Sequence, residues 1–148
     1  MKKVEFGKKA RTKLVEGIDI LADAVVSTLG PNGRNVFIQK GIVEPPQSTK
    51  DGVTVARSIV LKDPELEMGV QAMKYAAIKT ADKAGDGTTT STLLAREMVH
   101  AGLEGLNNGE NAVKIKRDID KSVKQVVSKL KDIAEDISDE SQLTQIAT

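Results

Sequence analysis

The sequence has 148 residues, the size of one ordinary domain, and it contains neither cysteine nor tryptophan. Its 22 basic and 21 acidic side chains nearly cancel, so no excess charge would draw it to nucleic acid or to an anionic membrane. The absence of cysteine excludes disulfides and thiolate metal ligands, and a single histidine, His100, excludes a histidine-based zinc cluster. Aromatic residues make up only 2% of the chain, which predicts an aliphatic core and excludes a stacking platform for nucleic acid.

The first residues predict a strand followed by a helix. Val4 and Phe6 alternate with charged neighbours, which is typical of a short strand that needs an edge to pair with. From about Lys8 onward, apolar residues recur at steps of three and four, which predicts an amphipathic helix. We expect this helix to end at Gly30, because glycine accepts the left-handed conformation and Pro31 prevents continuation.

A small β-hairpin is predicted next. Residues 35–39 are rich in β-branched and aromatic side chains, and residues 47–50 can return as the second strand. Pro45 and Pro46 prevent regular pairing in the connection. Residues 53–59 remain open between two interpretations, since their β-branched content favours a strand and their position favours a short helix.

The second half of the chain predicts three long helices. Asp63 and Pro64 begin a helix whose stripe of small apolar residues runs to Gly85. Another helix follows and ends near Asn107, and Asn111 caps a last long one. Ser138 begins a further capped segment without a terminator, so we expect the natural chain to continue. The predicted fold is mainly α: an antiparallel helical bundle with a short N-terminal strand and one small β-hairpin.

The stretch AGDGTTTST at residues 84–92 lies between two of these helices. Gly85 and Gly87 allow sharp turns, and the free N–H groups that begin the next helix form an anion site to which threonine hydroxyls add donors. A carboxylate in such a site repels phosphate unless a cation lies between them, so Asp86 would imply Mg²⁺. Alternatively, Asp86 accepts from Thr88 or Thr89 as an ordinary helix cap. The local sequence leaves both interpretations open.

Two more glycine turns stand out, at residues 28–33 and 50–53. Neither matches a P-loop, and no dinucleotide-binding G-x-G-x-x-G pattern follows a strand. If the intervening helices pack antiparallel, all three turns could meet at one end of the bundle. Asp51 and Asp86 would then face a shared phosphate site, where one carboxylate holds Mg²⁺ and the other positions water or the shell of the metal.

Three motifs carry a family resemblance: TLGPNGRNV at residues 28–36, TKDGVTVAR at 49–57 and AGDGTTT at 84–90. Their order and spacing resemble those of the group I chaperonins, the GroEL type, and the similarity covers essentially the whole chain. Asn32 departs from the basic residue that the family usually has there, and the hairpin tip at residues 43–46 is unusual. The resemblance implies that residues 1–134 form the N-terminal half of the equatorial ATP-binding domain and that residues 135–148 begin the hinge to the intermediate domain.

The resemblance also implies a function, which is ATP-dependent assistance of protein folding with ATP, Mg²⁺ and K⁺ as cofactors. Asp86 would bind the metal and Asp51 would support the chemistry, while no catalytic residue proper would lie in this chain. The full-length protein would be an ATPase, whereas this chain alone would be inactive. The residues implied to contact the nucleotide are Thr28, Leu29, Gly30, Pro31, Lys50, Asp51, Gly52, Asp86, Gly87, Thr88, Thr89 and Thr90.

The implied partners are identical subunits in a double ring, a co-chaperonin and unfolded client proteins, with no nucleic acid and no membrane. The N-terminal strand and the hairpin resemble segments that pair between neighbouring subunits. We expect a bacterial cytoplasmic location, with an organellar matrix as the alternative. The competing functional interpretation is a catalytically inactive helical module that self-associates through Phe6 and the hairpin.

Overall fold

The computed structural model describes residues 4–137, 139, 141–142 and 144. Within them the mainly helical prediction is confirmed, with one small antiparallel sheet. The elements in chain order are α1 (Gly7–Val26), β1 (Val36–Ile38), β2 (Gln47–Thr49), α2 (Gly52–Ser58), α3 (Pro64–Ala84), α4 (Thr88–Asn107) and α5 (Ala112–Ile133).

The chain divides into two compact units, Met1–Ala101 and Gly102–Thr148. The first contains α1, the sheet, α2, α3 and most of α4, and the second contains the end of α4 and all of α5. The domain boundary expected after residue 134 stays a prediction. Ser138, where a further capped segment was predicted, lies outside the described residues. No helix in the described part of the chain is long and apolar enough to cross a membrane.

The core of the first unit is aliphatic, as the composition predicts, and it lies between α1, α2 and α3. Two glycines let α1 and α3 approach closely, because a Cβ at Gly17 would overlap the Leu66 carbonyl and one at Gly69 would overlap the Leu14 carbonyl. The small-residue stripe therefore brings two backbones into direct contact. The buried core residues are Ile18, Leu21, Val25, Val55, Ala56, Val70, Met73 and Ala77.

The helices of the first unit do not all alternate in direction. Lys13 of α1 pairs with Glu65 at the start of α3, and Gly17 lies against Gly69, so α1 and α3 run the same way. They can do so because the sheet and α2 carry the chain back before α3 begins. Both helices consequently end on the same side of the unit.

Helix α4 provides the antiparallel pairing that was predicted. Arg96 Nη1 lies 2.7 Å from Asp23 Oδ1, and His100 Nε2 lies 2.7 Å from Asp19 Oδ1. Since the sequence numbers rise along α4 as they fall along α1, the two helices run in opposite directions. Helix α4 therefore begins at the end of the unit where α1 and α3 stop.

The predicted N-terminal strand does not form within this chain. Phe6 is extended (φ −132°, ψ 163°), but residues 4–6 are not part of the sheet, which in the described residues pairs only β1 with β2. An extended segment becomes a strand only when its backbone groups bond to a neighbouring edge, and in the described part of the chain residues 4–6 make no such pairing. Residues 53–59, left open by the sequence, belong mostly to helix α2, because Asp51 caps it and Val55 is buried.

Candidate functional site

The turn after α1 closes on itself. Ser27 continues the helical conformation, and Gly30 then adopts a positive φ of 70°. Gly33 N donates to Gly30 O at 3.0 Å, and Arg34 N donates to Ser27 O at 2.8 Å. These bonds hold residues 27–34 as a compact loop, with the buried Thr28 directed inward.

The turn between α3 and α4 ends one helix and begins another. Gly85 has a φ of 75°, and its N–H donates to Ala81 O as the predicted left-handed helix terminator. Asp86 Oδ1 accepts from Gly87 N at 2.6 Å, so the bond to Thr88 or Thr89 expected of a simple cap is not made. The first backbone bond of α4 runs from Ser91 N to Gly87 O. The N–H groups of residues 88–90 therefore have no acceptor within the helix.

The third turn precedes α2 and is organised by Asp51. Its Oδ2 accepts from Thr54 N at 2.9 Å and also from Thr54 Oγ1, while its own N–H donates to Thr49 Oγ1 at 3.0 Å. The Thr54 hydroxyl is the main cause that lowers the pKa of Asp51, aided by the N–H groups of Thr54 and Val53 and by the charge of Arg57. The carboxylate is thus held in its ionised form.

These three turns meet around one cavity of about 320 Å³. Eleven of the twelve residues predicted for the site line it, and Pro31 alone among them does not. The cavity is lined by Thr28, Leu29, Gly30, Lys50, Asp51, Gly52, Asp86, Gly87, Thr88, Thr89 and Thr90.

Direct contacts join the turns beneath the cavity. Thr28 Oγ1 lies 3.3 Å from Thr89 Oγ1 and donates to Val25 O at 2.7 Å. Gly52 is buried, and a Cβ there would overlap Thr89 Oγ1 and lie 3.0 Å from Thr88 Oγ1. Only glycine lets the start of α2 come this close to the hydroxyls at the start of α4.

The chemistry of the lining fits a phosphate group that arrives with a cation. Lys50, the free N–H groups of α4 and the hydroxyls are suited to anions, whereas Asp51 and Asp86 would repel one. Mg²⁺ is commonly held by one or two carboxylates together with phosphate oxygens. In the described part of the chain, no group of three or more His, Cys, Asp or Glu residues could hold a metal by itself. The donors present therefore suit a shared Mg²⁺–phosphate site.

One residue that contacts the site was missed by the sequence prediction. Thr54 does not line the cavity. Its backbone N–H and its hydroxyl both donate to Asp51, and Asp51 does line the cavity. The sequence signal is an aspartate followed three residues later by a residue with a hydroxyl. In a helix this spacing brings the capping side chain next to the third helical residue. The sequence alone leaves residues 53–59 open between strand and helix, so this spacing does not indicate a cap there.

Comparison with known proteins identifies the family. The model of the TCP-1/cpn60 chaperonin family matches residues 21–148. The chain belongs to this family, so the chaperonin resemblance carried by the three turns is confirmed.

Solved structures agree with this assignment. The chain is similar to the chaperonin gp146 from the bacteriophage EL 2 (Pseudomonas aeruginosa) in two crystal forms, both in the presence of ATP-BeFx. Crystal form II gives a TM-score of 0.74 and 35% identity over 89% of this chain, and form I gives 0.73 and 35% over 88%. In both cases the match covers 23% of the phage chaperonin chain, so this chain spans less than a quarter of that length.

Proposed function

We propose that this chain binds the phosphates of Mg-ATP as part of the equatorial domain of a protein-folding chaperonin subunit. The observation that carries the proposal is the single cavity formed by three turns that lie far apart in sequence. The presence of ATP-BeFx with the similar phage chaperonin supports it further. Family membership favours this function over a self-association module without nucleotide.

The proposed residues would bind different parts of Mg-ATP, according to their chemistry. The N–H groups and hydroxyls of Thr88, Thr89 and Thr90 would donate to phosphate oxygens, and Lys50 would balance part of their charge. Asp86 would hold Mg²⁺, which neutralises the phosphates when bound. Asp51 would lie beside the phosphates, and Thr28, Leu29, Gly30 and Pro31 would contact the rest of the nucleotide. K⁺ is proposed as an additional cofactor on the family resemblance.

The whole protein would be an ATPase that acts in a ring of identical subunits with a co-chaperonin and unfolded clients, in a bacterial cytoplasm or an organellar matrix. The strongly exposed Phe37, Ile42 and Val43 of the hairpin support its proposed role in contacts between subunits. This chain alone would turn ATP over poorly. A catalytic base proper is not among its proposed site residues, and the water would not be positioned for attack.

Calorimetric titration with Mg-ATP tests the proposal. We expect the unmodified chain to bind, and Asp86→Asn to weaken binding at least about tenfold because the proposed metal ligand is lost. Asp82→Asn is the matched control, since it removes the same charge from an exposed position of α3 outside the cavity. Absence of binding by the unmodified chain, or equal losses in the two variants, would contradict the proposal.

A further inference from the structure

Asp51 is held by two donors of a single residue. Thr54 N and Thr54 Oγ1 both donate to Asp51 Oδ2, and neither bond uses Oδ1. The backbone N–H alone would satisfy the capping requirement of α2. The hydroxyl bond is therefore additional to the cap, and it holds the same oxygen, Oδ2, with a second donor.

The second bond also favours the charged form of Asp51. A hydroxyl that donates to a carboxylate stabilises the ionised form, and this bond is the largest cause of the lowered pKa of Asp51. Thr54 is half-buried at the start of α2, whereas Asp51 is exposed at the cavity. Thr54 does not itself line the cavity, and its two hydrogen bonds link it to Asp51, which does.

A fixed anion in a phosphate cavity has opposite effects with and without a cation. Without one, the carboxylate repels phosphate, and with Mg²⁺ between them both anions are attracted to the metal. A less firmly held Asp51 should consequently weaken the binding of Mg-ATP, whereas the binding of free ATP should stay unchanged or become slightly tighter. A purely structural role of Thr54 would affect both ligands alike.

We propose that Thr54 is a positioning residue for the Mg²⁺ form of the nucleotide, which it favours by holding the Asp51 carboxylate toward the cavity. This inference rests on the proposed function of the same cavity. According to this inference, the start of α2 discriminates between Mg-ATP and metal-free ATP.

Calorimetry on the full 148-residue chain tests the assignment, with ATP titrated in excess Mg²⁺ and again in EDTA. Thr54→Val retains the branched shape and the capping N–H but removes the hydroxyl. We expect it to weaken Mg-ATP binding by about five- to twentyfold and to leave the affinity for metal-free ATP unchanged or up to about twofold tighter. Thr54→Ser restores the hydroxyl and should bind as the unmodified chain does.

Ser58→Ala is the matched control on the same helix, because Ser58 Oγ donates only to Val55 O, away from the cavity. It should leave both affinities unchanged. The inference is overturned if Thr54→Val leaves Mg-ATP binding intact, if it weakens both forms equally, or if Thr54→Ser fails to restore binding. If the unmodified chain binds neither form, the proposed function fails and this inference fails with it.

Discussion

Helices α1 and α5 are similar in length, 20 and 22 residues, and both carry apolar side chains at helical spacing, but their surroundings differ. Helix α1 buries Leu21 and Val25 completely. Helix α5 buries none of its residues, and Leu130 and Ile133 are 56% and 74% exposed. An apolar stripe therefore predicts a helix and the face it would bury, while burial itself depends on a partner surface.

The partner of α1 is α3, and the fit between them depends on Gly17 and Gly69 rather than on large side chains alone. The same tight packing continues to the cavity, where Gly52 lies against Thr88 and Thr89. Around α5 the packing varies from place to place: a Cβ at Gly102 would meet Ile115 only at an ordinary 3.7 Å, whereas one at Gly105 would lie 3.0 Å from the same side chain. The close backbone packing of the first unit thus extends to the turns that position the candidate site.

The largest expected difference concerns stability. Leu21→Ala should lower the free energy of unfolding by about 2–5 kcal/mol, because it leaves a cavity in a closed core. Leu130→Ala, the matched change on α5, should alter it by no more than about 0.5 kcal/mol, since that side chain is already in contact with water. Urea unfolding of both variants measures the difference, and similar losses would show that α5 is covered after all.

Two glycine substitutions test the packing next to the site. Gly52→Ala should cost about 1–3 kcal/mol and weaken Mg-ATP binding, because its Cβ would force apart the starts of α2 and α4. Gly102→Ala should be neutral or should stabilise by up to about 1 kcal/mol, since alanine favours a helix and finds room there. Thermal unfolding and calorimetry give the two readouts. Tolerance of alanine at residue 52 would contradict the close approach.

The smallest expected effect is a difference in how the stability contributed by two helix caps, Asp51 and Asn111, depends on pH. Asp51 has a pKa below its ordinary value, so its carboxylate contributes stability above the unfolded pKa of about 3.9, and this contribution is lost as pH falls through the folded pKa. Asn111 caps α5 with a neutral amide that accepts from Val113 N at 2.9 Å. Each change to alanine should cost about 1 kcal/mol at neutral pH.

The loss in free energy of unfolding caused by Asp51→Ala should become smaller as the pH is lowered from 4 to the lowest pH at which the protein stays folded. The Asn111→Ala loss should stay constant over the same range, because an amide does not titrate there. A pH-independent loss at Asp51 would mean that the charge of its carboxylate does not contribute to the cap.

Local signals in the sequence predicted most of the elements. The start of α3 at Asp63 and Pro64, its end at Gly85 and the Asn111 cap of α5 each depend on the chemistry of one or two residues, and each is found in the structure. The directions of α1 and α3 could not be predicted in this way. They follow from the contact of Gly17 with Gly69, which are far apart in the sequence.

In the candidate site, too, local features could be predicted from the sequence, whereas features that depend on the fold could not. Its residue types could be predicted, because glycine turns, hydroxyls and aspartates each have a recognisable chemistry. The proposed role of Thr54 is harder to predict, because its spacing from Asp51 indicates a helix cap only once residues 52–58 are known to form a helix. The N-terminal strand was wrong for this chain because local alternation cannot supply a neighbouring edge.

Backbone amide NMR during a titration with Mg-ATP is the most direct test of a single phosphate cavity built from three turns. We predict that the amide signals of Gly30, Gly52 and Thr89, one from each turn, shift together with a common dissociation constant, while those of Val126 and Leu130 on α5 stay in place. Shifts confined to one turn, or shifts that occur only on α5, would contradict the shared cavity.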